Sequence, residues 1–160
     1  MGWEGKFESW PVEGGWEVES MRFFATSPQP KYIAWNIGTG EGDLAPHSHL
    51  AEILMDEDCF KGLYGVIFVV DCLDRARIDE ARDALHRLLA DERVPKEAPL
   101  LVLANKVDAG QAAMPPDVVK EKLQLASLGR AHVHVQSTNA RAGVGLGEAI
   151  RWLYETNPAL

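Results

Sequence analysis

At 160 residues, with 46% hydrophobic and 25% charged side chains, the chain has the size and make-up of one ordinary globular domain with a full core. Its net charge of −8 speaks against nucleic acid and anionic membrane as partners, because both repel an acidic surface. Cys59 and Cys72 offer neither a disulfide framework nor a metal spacing, which suits a reducing, intracellular setting of no particular compartment.

Residues 1–15 are rich in Gly, Glu and Trp and carry no period. They have neither the apolar stretch of a secretion signal nor the Arg-rich, acid-poor character of a transit peptide. Lys6 stands where a myristoylation signal needs Ser or Thr. Trp16, Val18 and Phe23 sit among polar residues in a strand-like pattern, Ser27-Pro28-Gln29-Pro30 reads as a turn, and Tyr32 to Ile37 reads as the second arm of a hairpin. Gly38-Thr39-Gly40-Glu41-Gly42 is a loop, and Leu50 to Phe60 forms a short helix. Gly65 to Asp71 is a continuous apolar, β-branched run, the mark of a strand buried on both faces. It is also far too short to cross a bilayer, so no direct membrane insertion is expected.

Residues 77–91 place Ile78, Ala81, Leu85, Leu88 and Leu89 on one helical face. Pro99 to Ala104 is a second buried strand, and Pro115-Pro116-Asp117 opens a helix running to about Leu125. His132 to Ser137 alternates as a strand. The last helix, from about Leu146 to Thr156, buries Leu146, Ala149, Ile150 and Leu153. From residue 65 onward the order is β-α-β-α-β-α, which predicts an α/β fold with a parallel sheet flanked by helices, in a single domain over residues 1–160.

The apolar strand Leu100 to Ala104 runs directly into Asn105-Lys106-Val107-Asp108, an N-K-x-D sequence. Average residue usage puts that pattern by chance into roughly one chain of this length in fifty. The residue types have a chemical reason. A carboxylate at Asp108 can accept two hydrogen bonds from the N1 and exocyclic amino groups of guanine, a donor pair adenine lacks. Asn105 can tie neighbouring loops together, and the stem of Lys106 can cover the face of the base. The bland alternative is a polar turn without a ligand. No G-x-x-x-x-G-K-[ST] phosphate loop occurs anywhere in the 160 residues.

From Gly65 onward the chain resembles an Arf-type (ADP-ribosylation-factor-like) small GTPase. Gly65 to Asp71 with Asp74-Arg75 and Glu80-Ala81-Arg82 is similar to that family's fourth strand and third helix. Leu100 to Asp108 is similar to its fifth strand and base loop. Gln136-Ser137-Thr138-Asn139-Ala140-Arg141 resembles its final base-contacting loop, with Ala140 in place of the alanine that meets the guanine oxygen. Gly143, Gly145, Leu146 and Trp152 fit its last helix. The resemblance therefore assigns Asn105, Lys106, Asp108 and Ala140 to a residual guanine-base site.

Upstream, Pro11 to Ser20 resembles a distorted switch I, with Gly15, Trp16, Val18 and Glu19 in register and Glu13 in place of the magnesium-binding threonine. Trp35-Asn36-Ile37-Gly38-Thr39-Gly40 resembles the W-D-x-G-G-Q of switch II. Asn36 replaces the metal-linked aspartate, Thr39 the second glycine and Gly40 the catalytic glutamine. Nothing corresponds to the family's first strand, phosphate loop and first helix. The losses all fall on the phosphate and magnesium half. Phosphoryl transfer depends on that half for positioning and charge stabilisation. Losing about five charge-assisted phosphate contacts, at roughly 1.5–3 kcal/mol each, removes on the order of 7–15 kcal/mol of binding.

What the resemblance implies is a catalytically inactive Arf-like pseudo-GTPase, retained as a structural or protein-binding subunit of a multi-protein complex. It implies no catalytic residues, no metal site and an empty nucleotide site, or at most weak, magnesium-independent GTP or GDP binding. The alternative is a guanine-nucleotide switch whose phosphate loop comes from sequence upstream of Met1 or from another chain. In the family's sheet the first strand lies between those matching about Lys31–Ile37 and Gly65–Asp71, so its loss leaves a gap. Direct pairing of the two strands, or a strand from a partner, is favoured over insertion of the glycine-rich N-terminal segment; the first two stay open. The face that lost the family's first helix is expected to expose apolar surface.

Weaker candidates remain. His47-x-His49 is at best half a metal site. His132 and His134 share one face of a strand, and Asp56-Glu57-Asp58 reads as a solvated patch. Trp3, Trp10 and Trp16 either anchor a partner surface or pack on the chain's own core.

Overall fold

The computed structural model of the chain describes residues 22–23, 31–37, 60 and 63–156, the first two stretches through their backbone. Among the described residues, five strands form one sheet in the order β1 (Arg22–Phe23), β2 (Lys31–Ile37), β3 (Leu63–Asp71), β4 (Leu100–Asn105), β5 (Val133–Thr138). β1 is antiparallel to β2 at one edge; β2 to β5 run parallel. The hairpin is thus present, through Arg22–Phe23 alone; Trp16 and Val18 lie outside the described residues, as do His47, His49, the helix positions 50–59 and the N-terminal tryptophans. No helix of the described residues is long and apolar enough to cross a membrane.

Of the arrangements expected for the strands matching Lys31–Ile37 and Gly65–Asp71, the structure shows direct pairing. β2 lies on β3 with Tyr32 opposite Gly65, Ala34 opposite Ile67, Asn36 opposite Val69 and Ile37 opposite Val70, the register slipping once between Lys31 and Tyr32. Direct pairing satisfies the backbone donors and acceptors of both strands from within the chain.

Helix α1 (Ile78–Leu89) buries Ile78, Ala81, Ala84, Leu85 and Leu88; Leu89 is half-buried at the margin. Asp79 and Glu80 in its first turn and His86 and Arg87 in its last complement the helix dipole. With helix α2 (Pro116–Lys122) it covers one sheet face, where Val66, Phe68, Val70, Leu100, Val102 and Ala104 are buried against it together with Val119 and Leu123. Helix α3 (Leu146–Thr156) covers the other face, burying Ile67 and Leu101 against Ala149 and Leu153. Alternate residues of β3 and β4 therefore feed two cores, which is why their sequences are apolar throughout rather than alternating. Leu146 and Ile150 are half-buried rather than buried, because α3 is alone on its face among the described residues. Large apolar side chains exposed among the described residues are Tyr64, Leu73, Val144 and Tyr154.

Helix α2 stops earlier than its sequence pattern indicates. It begins on the Pro115-Pro116 pair and ends at Lys122; Gln124 then takes a left-handed conformation (φ 52°), and Leu125–Leu128 makes a separate 3-10 turn. Two competing bonds favour the break. The Leu123 carbonyl meets the His86 Nε2 of α1 at 2.9 Å, and the Ser127 hydroxyl donates to the Gln124 carbonyl at 2.7 Å. At the amino ends of β4 and β5, the Arg130 guanidinium donates to the carbonyls of Pro95 (2.9 Å), Ala98 (3.1 Å) and Leu89 (3.4 Å). Burial pushes its pKa down, with the charge of Glu97 opposing.

Candidate functional site

The carboxyl ends of parallel strands are where α/β sheets place their ligand sites. Here the register puts three polar residues in one row across those ends. Asp71 of β3 pairs with Asn105 of β4, which pairs with Thr138 of β5. Each is the last residue of its strand, and in β3 and β4 the residues before it are almost all apolar, so the row marks where the core stops and the loops begin.

Asn105 is the hub. Its side-chain oxygen accepts the Ala140 backbone N–H at 2.9 Å and the Thr138 hydroxyl at 3.3 Å, while its main-chain carbonyl accepts the Cys72 N–H at 3.0 Å. One residue thereby joins the loops that follow β3, β4 and β5. Lys106 follows in a left-handed conformation (φ 65°), and its Nζ lies 2.7 Å from the Oδ2 of Asp71. Asp108 sits in the 3-10 segment Val107–Ala112 and is exposed; no described residue bonds its carboxylate. Ala140, also exposed, is held by the Asn105 bond and by a small closed loop. In that loop Asn139 and Val144 exchange backbone hydrogen bonds at 3.0 and 3.1 Å, and the Asn139 side chain accepts the Ala142 N–H at 3.1 Å. Gly145 closes this loop with φ 80°; a Cβ there would run into the Ser137 carbonyl oxygen, so only glycine fits.

The four residues singled out in the sequence thus lie on two adjacent loops, and Asn105 bonds one to the other. Asn36 pairs in β2 with Val69, whereas Glu13, Thr39 and Gly40 lie outside the described residues. Among the described residues, no group of three or more His, Cys, Asp or Glu could hold a metal ion. Sequence reasoning missed the roles of Asp71 and Thr138. For Asp71 the signal available was a lone carboxylate closing an apolar strand; Thr138, in a strand that alternates polar residues, carried none. Cys72, next to Asp71, is fully buried, and its thiol is pushed up to about 11, first by burial and then by the Asp71 charge. A thiol in that state is inert. His134 stacks on Trp152 of α3 with ring centroids 5.1 Å apart, which gives it a packing role, while His132 is exposed.

Chemically, the described part of the arrangement offers hydrogen-bonding groups of the kind a base would meet. Asp108 offers an exposed carboxylate that no described residue bonds, and Ala140 lies on the neighbouring loop, which Asn105 holds. Comparison with known proteins places the fold. The model of the ADP-ribosylation factor family matches residues 54–157. Among solved structures, the Arl6 (BBS3) small GTPase from Trypanosoma brucei, in complex with the nucleotide analogue GppNp, is similar at 30% sequence identity with a TM-score of 0.57. The match covers 62% of this chain and 62% of that chain, so it spans less than two thirds of either.

Proposed function

The chain belongs to the ADP-ribosylation factor family, and from that premise we propose that it is a member whose GTPase fold acts as a protein-binding subunit of a larger assembly and does not hydrolyse GTP. The observation that carries this reading is the β2–β3 ladder. The family's phosphate loop hangs from a strand between these two. A strand supplied from upstream of Met1, or by another chain, would have to part the ladder before it could deliver phosphate contacts. The changes at Asn36, Thr39 and Gly40 lie inside the chain and point the same way. Without a phosphate loop, its lysine and Mg²⁺, the charge that develops during phosphoryl transfer has nothing to stabilise it.

A second reading, a nucleotide-regulated switch, draws support from the unbonded Asp108 carboxylate, which stands ready for a guanine. The two are separated by single-turnover phosphate release from GTP with the chain in large excess. The expected rate is that of buffer alone. A clear rate that disappears in Asp108→Ala would overturn the proposal. The interaction role is tested by the solution behaviour of the isolated chain. Aggregation relieved by one co-expressed partner supports it; a well-dispersed, cooperative monomer without affinity for any neighbour contradicts it.

A further inference from the structure

Asp71 is no part of the N-K-x-D sequence, yet its side chain ties that sequence, through Lys106, to the loop after β3. Its side chain is 4% exposed. One carboxylate oxygen accepts the Leu73 N–H at 2.9 Å, and the other accepts a proton of Lys106 Nζ at 2.7 Å. Its main-chain carbonyl accepts the Asp74 N–H at 3.1 Å. Lys106, half-exposed, carries φ 65° and ψ 32°, a region that residues with a side chain occupy when their surroundings impose it. A carboxylate this buried would be an uncompensated charge without its lysine, so the pair has a reason to persist that surface ion pairs lack. The tether acts at the residue between Asn105, which holds Ala140, and the turn that presents Asp108.

We propose that Asp71 is the positioning residue of the guanine-facing loop: its buried carboxylate draws Lys106 into the left-handed turn and so keeps Asn105 to Asp108 in reading order with no ligand bound. The inference rests on Asn105–Asp108 facing a guanine, and is independent of whether GTP is hydrolysed. It explains how a base-reading loop stays assembled in a chain without phosphate contacts to organise it. An internal anion does the work from beneath the loop.

Amide hydrogen exchange by NMR on the full chain, without ligand, tests it. The variants are Asp71→Asn, Lys106→Met and the two combined. The Ala140 amide, bonded to the Asn105 side chain, reports on the loop. The Leu100 amide, bonded to the His132 carbonyl at 2.9 Å, reports on the far end of the same two strands. Each single variant is expected to speed Ala140 exchange roughly tenfold and to leave Leu100 within about twofold, because the opening is local. The double variant should be no worse than the more affected single one, since no orphaned charge remains. Unchanged Ala140 exchange in both single variants overturns the proposal. So does equal acceleration at Leu100, which marks a general loss of stability. Lys106→Met alters a half-exposed side chain and carries the test if Asp71→Asn does not fold. Titration with guanosine separates this claim from the guanine reading: shifts at Asp108 support that reading, and their absence ends it without touching the exchange result.

Discussion

The carboxyl ends of β4 and β5 and the seam between β2 and β3 are both places where a nucleotide-binding fold meets its ligand, and they have fared differently. At the first, side chains bond loop to loop: Asn105 to Thr138 and Ala140, Lys106 to Asp71. At the second, β2 and β3 meet directly through a backbone ladder. The difference teaches that residues of a recognition motif can be held by the fold as well as by a ligand. Asn105 and Lys106 each satisfy a partner inside the fold, so losing either costs stability whether or not a guanine is bound. Phosphate-loop residues have no such second employment. Asp108 is the exception within the motif, because it bonds to no described residue. Its side chain is therefore the one whose presence argues for a ligand, whereas Asn105 and Lys106 argue equally for the fold.

The comparison can be broken from the seam side first. Phe68 is fully buried in β3 beneath α1, and Phe68→Ala should cost about 3–5 kcal/mol in a denaturant melt, the largest effect foreseen. A loss under about 1 kcal/mol would mean that the strand is not the shared wall of the core. On the base side, Gly145→Ala must relieve both a positive φ and a clash with the Ser137 carbonyl. It should cost about 3 kcal/mol and loosen the Ala140 loop. Next comes the contrast within the motif. Asn105→Ala removes the acceptor of the Ala140 N–H and leaves the Thr138 hydroxyl only the longer bond to the Ala104 carbonyl (3.5 Å), and should cost about 1–3 kcal/mol. Asp108→Ala should stay within about 0.5 kcal/mol of the parent while removing whatever guanine affinity exists. Equal destabilisation by both would erase the distinction between residues kept for the fold and the residue kept for a ligand.

The smallest effect concerns Cys72. Its folded-state pKa of about 11 lies above the ordinary thiol value of 9.0, so folding favours the neutral thiol. The unfolded chain gives up that proton first as pH rises. The contribution is therefore complete below about pH 9 and drains away between there and about 11. Melts across that window should slope less steeply in Cys72→Ala than in the parent. At pH 8 the native thiol should resist alkylation until the chain unfolds.

Much of this architecture was legible in the residues. Gly65 to Asp71 and Leu100 to Ala104 announce buried parallel strands by being apolar at every position, and Ile78, Ala81, Leu85 and Leu88 mark the inner face of α1 by their spacing. Asn105 and Asp108 were visible through the motif itself. The roles of Asp71 and Thr138 were not, because they come from the alignment of three strands, and register is a tertiary property. The end of α2 was misplaced for a related reason. Nothing at Gln124 resembles a stop signal, and the break depends on His86 reaching across from α1 to the Leu123 carbonyl. Direct closure of the sheet could not be told from a partner's strand, since either satisfies the same backbone groups.

The central claim is that the base half of this fold persists without a working phosphate half. It is tested most directly by calorimetric titration of the chain with GDP and GTP, each with and without Mg²⁺. The account predicts weak binding at most, with the same affinity in the presence and absence of the metal and no gain from the third phosphate. Tight binding that requires Mg²⁺ would contradict it, because that result demands the phosphate and metal contacts that the proposed reading does without.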